Sequence, residues 1–178
     1  SDGIITQIEQ YGGTVRTAAS DSGAGAVAGG GVVLAAGRVG FGLALDANPA
    51  QVEGLTQINF LGPAQLITEL QPHLKNGADP FVAAITGVVA EKSFPGMAAY
   101  CAGKKAISGW LDSVAAEWRK DGIRILEARP GHTETGLATR PMFGAAPAFP
   151  TGMTATHVAQ KIVEGIASDA KLLASTDF

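Results

Sequence analysis

One cysteine, Cys101, is the only thiol in this 178-residue sequence. No internal disulfide can form, and a reducing compartment is expected. Positive charge is not in excess: 13 Lys+Arg stand against 16 Asp+Glu, a net charge of −3, which argues against a nucleic-acid partner. No apolar run approaches the length of a membrane span. The nearest stretch, residues 23–37, is short, rich in Gly and Ala, and closed by Arg38. The opening Ser1-Asp2 lacks the basic start of a secretion signal, so no membrane partner and a cytoplasmic location are expected. His73, His132 and His157 are dispersed without ligand spacing, and no metal site is expected. Repeats and charge blocks are absent as well.

What is present is apolar material. Hydrophobic residues make up 46% of the chain and charged residues 16%, with a mean hydropathy of +0.19. That suffices for one sizeable core and a single domain over residues 1–178. Strand and helix signals alternate. Ile4, Ile5 and Ile8 share helical spacing before Gly12-Gly13, and residues 14–19 read as a short strand ending at Asp21. Residues 31–36 (GVVLAA) read as a buried strand. A helix follows from Pro49 through Leu74, with Pro63 and Pro72 expected to bend or shorten it. Residues 81–86 (FVAAIT) form another apolar strand. The longest helical pattern covers 97–120, with Ile107, Leu111, Val114 and Trp118 on one stripe. Residues 123–128, 156–167 and 172–174 complete the series as strand, helix and short strand. Such alternation predicts an α/β fold, a doubly wound parallel sheet covered by helices, with ligands beyond the carboxyl ends of the strands.

Residues 100–104 (YCAGK) carry the sharpest chemical signal. A Tyr and a Lys four apart share one helical face. An ammonium beside a phenol favours the phenolate and lowers a pKa that is normally near 10. A phenol moved towards neutrality is a usable general acid/base.

Residues 94–106 (FPGMAAYCAGKKA) resemble the active-site helix of the short-chain dehydrogenase/reductase family. Three further segments agree in order and spacing. Residues 57–62 (QINFLG) resemble the catalytic Asn segment. Residues 121–125 (DGIRI) followed by 129–135 (RPGHTET) resemble the late strand and its Pro-Gly-x-x-x-Thr turn. Residues 34–37 (LAAG) resemble the Asn-Asn-Ala-Gly turn. The resemblance implies a Rossmann-like fold, NAD or NADP as cofactor, and a small carbonyl/alcohol substrate. It makes Tyr100 the proton donor and acceptor. Lys104 would hold the nicotinamide ribose and depress the Tyr100 pKa, and Asn59 would anchor a water relaying protons to Lys104. Pro130, Gly131, Thr133 and Thr135 would lie against the nicotinamide, with Ala36 and Gly37 lining the cofactor and Asp21 facing the adenine edge. Residues 136–152 would be the substrate loop, with Leu137, Met142, Phe143 and Phe149 as an apolar wall. Trp110 and Trp118 read as core or as a helix interface, and a homodimer or homotetramer is expected.

The pattern departs from the family at two places. The catalytic Ser position is Gly87, with Thr86 and Ser93 as the nearby hydroxyls, and loss of one donor to an oxyanion costs about 10²–10³ in rate. At the front, residues 23–28 (GAGAVA) formally fit a Gly-rich phosphate turn but leave no room for its helix, so they read as a shortened connection. The two strands that precede this point in the family are not found. The expectation is that roughly 50–60 residues of the working protein lie outside this sequence, and that strand 31–36 is left as an apolar edge. Hydride transfer is the preferred activity. The alternatives are a catalytically weak or inactive relative that binds a ligand or partner subunit, and an isomerase or dehydratase on the same scaffold.

Overall fold

The computed structural model describes residues 30–178. The expected segments at residues 4–8, 14–19 and 23–28, and Asp21 itself, lie outside the described residues.

Four strands, β1 (Val32–Leu34), β2 (Phe81–Ile85), β3 (Arg124–Ala128) and β4 (Leu172–Leu173), pair in parallel in the order β1-β2-β3-β4. Side chains alternate between the faces of such a sheet. Val82, Ala84, Ile123 and Ile125 pack on one face against Ile67, Ile107, Leu111 and Val114. Phe81, Ala83, Leu126 and Ala128 pack on the other against Val158, Ile162 and Ile166. Helices therefore cover both faces, as the continuous apolar strands predicted, and the fold is a Rossmann-like α/β sheet.

β1 is shorter than the expected strand over 31–36. It holds three residues, and Val33 is 48% exposed, because β1 is the edge of the described sheet.

The helix expected from Pro49 to Leu74 is three pieces: α1 (Pro49–Thr56), a π turn (Gln57–Leu61) and α2 (Gly62–Lys75). Asn48 caps α1, its Oδ1 accepting from the Ala50 N–H at 2.9 Å. Pro63 sits in the first turn of α2 and does not end the helix. It has no N–H for the Asn59 carbonyl, and its ring would crowd that carbonyl in a regular α-helix. The wider turn, closed by the Gly62 N–H donating to the Gln57 carbonyl, accommodates it. Pro72 does not shorten the helix either, which runs on to Lys75. Single π turns often occur at functional sites, and this one contains Asn59.

α3 (Ala98–Trp118) carries the predicted stripe in its buried face; a tighter 3-10 turn (Arg119–Asp121) follows it and stops at Gly122, whose φ of 72° suits glycine. Trp118 is in the core and Trp110 packs against it edge-on, 6.5 Å between ring centres. α4 (Ala155–Ala167) is capped by Thr154 Oγ1, which accepts from the His157 N–H at 3.2 Å. Among the described residues no helix is long and apolar enough to cross a membrane.

Candidate active site

Asn59 is fully buried and both ends of its amide are committed. Oδ1 accepts from the Arg38 N–H at 3.1 Å, and Nδ2 donates to the Arg38 carbonyl at 2.9 Å. The π turn is thereby clamped to the loop after β1. Leu34 and Ala35 stand where the Asn-Asn-Ala-Gly turn has Asn residues, and neither has a polar side chain to support Asn59. The support comes instead from the Arg38 backbone, which any residue but proline supplies.

Lys104 is also buried, and Nζ donates to the Ile85 carbonyl at the end of β2, at 2.9 Å. Gly37 lies over both groups. A Cβ placed there would stand 3.1 Å from Asn59 Oδ1 and 3.3 Å from Lys104 Nζ. Gly103 works from the other side: its Cβ would lie 3.3 Å from Asn59 Cβ, so α3 packs onto the π turn where a side chain is missing. Tyr100 occupies the preceding turn of α3, buried in an apolar cluster with Val39, Phe41, Leu55, Val89 and Cys101.

This placement reverses one expectation. Burial pushes the Tyr100 phenol up to about 12, with Cys101 adding a smaller effect, and burial pulls the Lys104 amine down to about 8. Each group is disfavoured in its charged form by the apolar surroundings. Burial outweighs the expected lowering of the phenol by the ammonium, and the bond that fixes the amine goes to the Ile85 carbonyl.

The turn after β3 begins with buried Pro130, whose carbonyl accepts from the Val88 N–H at 2.9 Å. Thr133 Oγ1 donates to the Gly131 carbonyl at 3.0 Å, and the Thr135 N–H donates to the Thr133 carbonyl at 2.8 Å. Thr135 and Ala36 are exposed. Asn59, Gly37 and Lys104 are thus brought into contact, Tyr100 stands one turn away, and the 130–135 turn continues the neighbouring strand. Asp21 is outside the described residues.

The loop 136–152 is folded down. Met142 N–H donates to the Val39 carbonyl at 2.8 Å, and Phe41 N–H to the Phe143 carbonyl at 3.0 Å. Leu137, Met142 and Phe143 pack on the apolar cluster that holds Tyr100. Phe149 stacks on His132, 4.8 Å between ring centres, and also meets Phe41 of that cluster, 6.2 Å between ring centres, so His132 is half-covered. Among the described residues no three His, Cys, Asp or Glu side chains converge to hold a metal.

Residues 8–141 match the short chain dehydrogenase family. The chain belongs to it. Mouse dehydrogenase/reductase SDR family member 7B is 27% identical over 129 residues, which is 68% of this chain and 40% of the mouse protein. The chain therefore spans well under half of that relative's length. A short-chain dehydrogenase from Sphingobium yanoikuyae, solved in complex with NADPH, superposes with a TM-score of 0.72 at 18% identity, covering 82% of this chain and 56% of that one. A 4-hydroxyisoleucine dehydrogenase complexed with NADH gives 0.67 at 19% identity, over 98% and 70% of the two chains. At such identities the two structures establish the fold.

Against the family pattern, the structure explains the missing serine. Gly87 has φ 83° and ψ 166°, a region essentially confined to glycine that costs an L-residue on the order of 2 kcal/mol. Thr86 is no substitute, being fully buried with its hydroxyl donating to Glu127 Oε1 at 2.5 Å. Ser93 is exposed and shares a groove with Ala98, Ala102 and Lys105 on another face of α3. Gly87→Ser should lower Tm by roughly 2–8 °C at this chain length. A thermal melt equal to the parent's would show that the backbone at 87 turns back at no cost.

Sequence reasoning missed Glu127 and Arg129. The signal was available: a Glu inside an apolar strand with an Arg two residues on occupies the same face, and a buried charge requires a partner.

Proposed function

We propose that this family member is a nicotinamide-dependent oxidoreductase acting on a carbonyl/alcohol pair, with Tyr100 as general acid/base. The observation that carries the reading is the close approach of the Gly37 backbone to the Lys104 amine and the Asn59 amide, where a Cβ would stand 3.3 Å from Nζ and 3.1 Å from Oδ1. A residue without a Cβ lets the loop after β1 come this close to both groups.

Lys104 has three N–H donors and commits one to Ile85. The remaining two suit the hydroxyls of a ribose. Ala36, Gly37, Pro130, Gly131, Thr133 and Thr135 would line the same cofactor, NAD or NADP, and Asp21 would meet its adenine edge. When bound, the nicotinamide supplies or accepts the hydride. Related folds are known with NADPH and with NADH. Tyr100, protonated at neutral pH in its apolar surroundings, gives its proton to a carbonyl oxygen; the reverse direction needs the phenolate, which those surroundings hold back to high pH. The Asn59 side chain is occupied by Arg38, so its part in a proton path falls to its carbonyl, deprived of a regular helical donor by Pro63. The apolar wall of Leu137, Met142 and Phe143 favours an apolar substrate. The proposal extends to a cytoplasmic homodimer or homotetramer, read by sedimentation.

Fluorescence titration with NADH and NADPH tests the reading. Saturable binding, followed by oxidation of the bound cofactor with a panel of apolar aldehydes and ketones, is expected. Gly87 favours a second reading, a family member that binds without turning over. Binding with no oxidation across the panel selects it, and no binding of either cofactor removes both.

A further inference from the structure

Glu127 lies in β3 between Leu126 and Ala128 and is almost wholly buried. Its carboxylate is fully provided for. Oε1 accepts from Thr86 Oγ1 at 2.5 Å and from Arg129 Nε at 2.9 Å, and Oε2 accepts from Arg129 Nη2 at 2.8 Å. The same Nη2 donates to Ser108 Oγ at 3.1 Å. Burial alone would raise the carboxyl's pKa, but the Arg129 guanidinium and the Thr86 and Ser108 hydroxyls outweigh it and hold it below its usual range.

The four residues come from the segments that build the candidate site. Thr86 immediately precedes Gly87 at the end of β2. Arg129 immediately precedes the Pro130-Gly131 turn. Ser108 lies one helical turn beyond Lys104 on the same face of α3. A bidentate Arg–carboxylate pair fixes orientation as well as distance. A hydrophobic contact of equal area would leave these segments free to slide.

Resting on the oxidoreductase reading above, we propose that Glu127 and Arg129 are a positioning pair: they hold the 130–135 turn in register with the Tyr100–Lys104 face of α3, and so set cofactor affinity and turnover. Neither residue touches the reacting atoms.

The test separates positioning from folding. Arg129→Met alone leaves an uncompensated buried carboxylate and is expected to destabilise the chain strongly. The double variant Glu127→Met with Arg129→Met removes both charges and their desolvation together, and such replacements are often neutral or stabilising. Its expected signature is a Tm close to the parent's with the Kd for NADH or NADPH, whichever the parent binds, weakened at least tenfold and kcat reduced, all measured far below Tm. A purely structural pair would move Tm and leave Kd and kcat alone. Equal Kd and kcat in parent and double variant overturn the proposal. So does a double variant that fails to fold, because the pair would then belong to the fold rather than to the site. A parent chain that binds neither cofactor sinks the oxidoreductase reading itself, a result distinct from either.

Discussion

Tyr100→Phe is expected to lose between two and four orders of magnitude in turnover while keeping its fold. The range is that of one positioned general acid/base. The structure indicates why the loss should be near the upper end. Gly87 supplies no hydroxyl and its N–H donates to the Ala128 carbonyl, while the next N–H, on Val88, is spent on Pro130. Thr86 is turned away to Glu127. With neither residue 86 nor residue 87 offering a hydroxyl, the phenol is left to meet a developing oxyanion. The fold should survive, because the Tyr100 hydroxyl makes no hydrogen bond to another described residue and the ring alone fills its place in the cluster with Leu55 and Val89. Taking away a hydroxyl without a protein partner costs little. Steady-state kinetics beside a thermal melt would check both halves. Unchanged turnover in a well-folded variant removes the mechanism.

Lys104→Met should act on stability as well as on activity, with a sign that depends on pH. The unfolded chain keeps this amine protonated up to about 10.5, whereas burial releases the proton from the folded chain near 8. Between those values the unfolded state binds more protons, so this group makes stability rise with pH from about 8 to 10.5. The shift corresponds to roughly 3 kcal/mol at most. Tyr100 works the other way. Its folded pKa of about 12 exceeds the ordinary 10, so the folded chain holds the extra proton above pH 10 and stability declines there. The net rise is therefore confined to about pH 8–10. Lys104→Met should lack it, and should equal or exceed the parent's stability below pH 8 despite leaving the Ile85 carbonyl without its donor. Denaturant unfolding at pH 7, 8, 9 and 10 reads the difference. Parallel curves for parent and variant would contradict the buried, poorly solvated amine. Binding of reduced cofactor should weaken in the same variant.

Much of the scaffold could be read residue by residue. The apolar runs at Phe81–Ile85 and Arg124–Ala128 are the two central strands, and the stripe of Ile107, Leu111, Val114 and Trp118 is the buried face of α3. Tyr100 and Lys104 fall on one face because helical spacing alone puts them there. These features depend on period and burial, which neighbouring residues encode.

The chemistry at the site was decided at longer range. That Lys104 reaches the Ile85 carbonyl, that Asn59 spends its amide on Arg38, and that Glu127 draws the Thr86 hydroxyl beneath the sheet are contacts between residues 19, 21 and 41 apart in the chain. The conformation of Gly87 and the upward displacement of the Tyr100 pKa follow from the same packing. A sequence fixes which groups are available and on which face they lie. The dielectric around them and the partner each one finds exist only after distant segments have met, and those two quantities set the direction in which a proton moves.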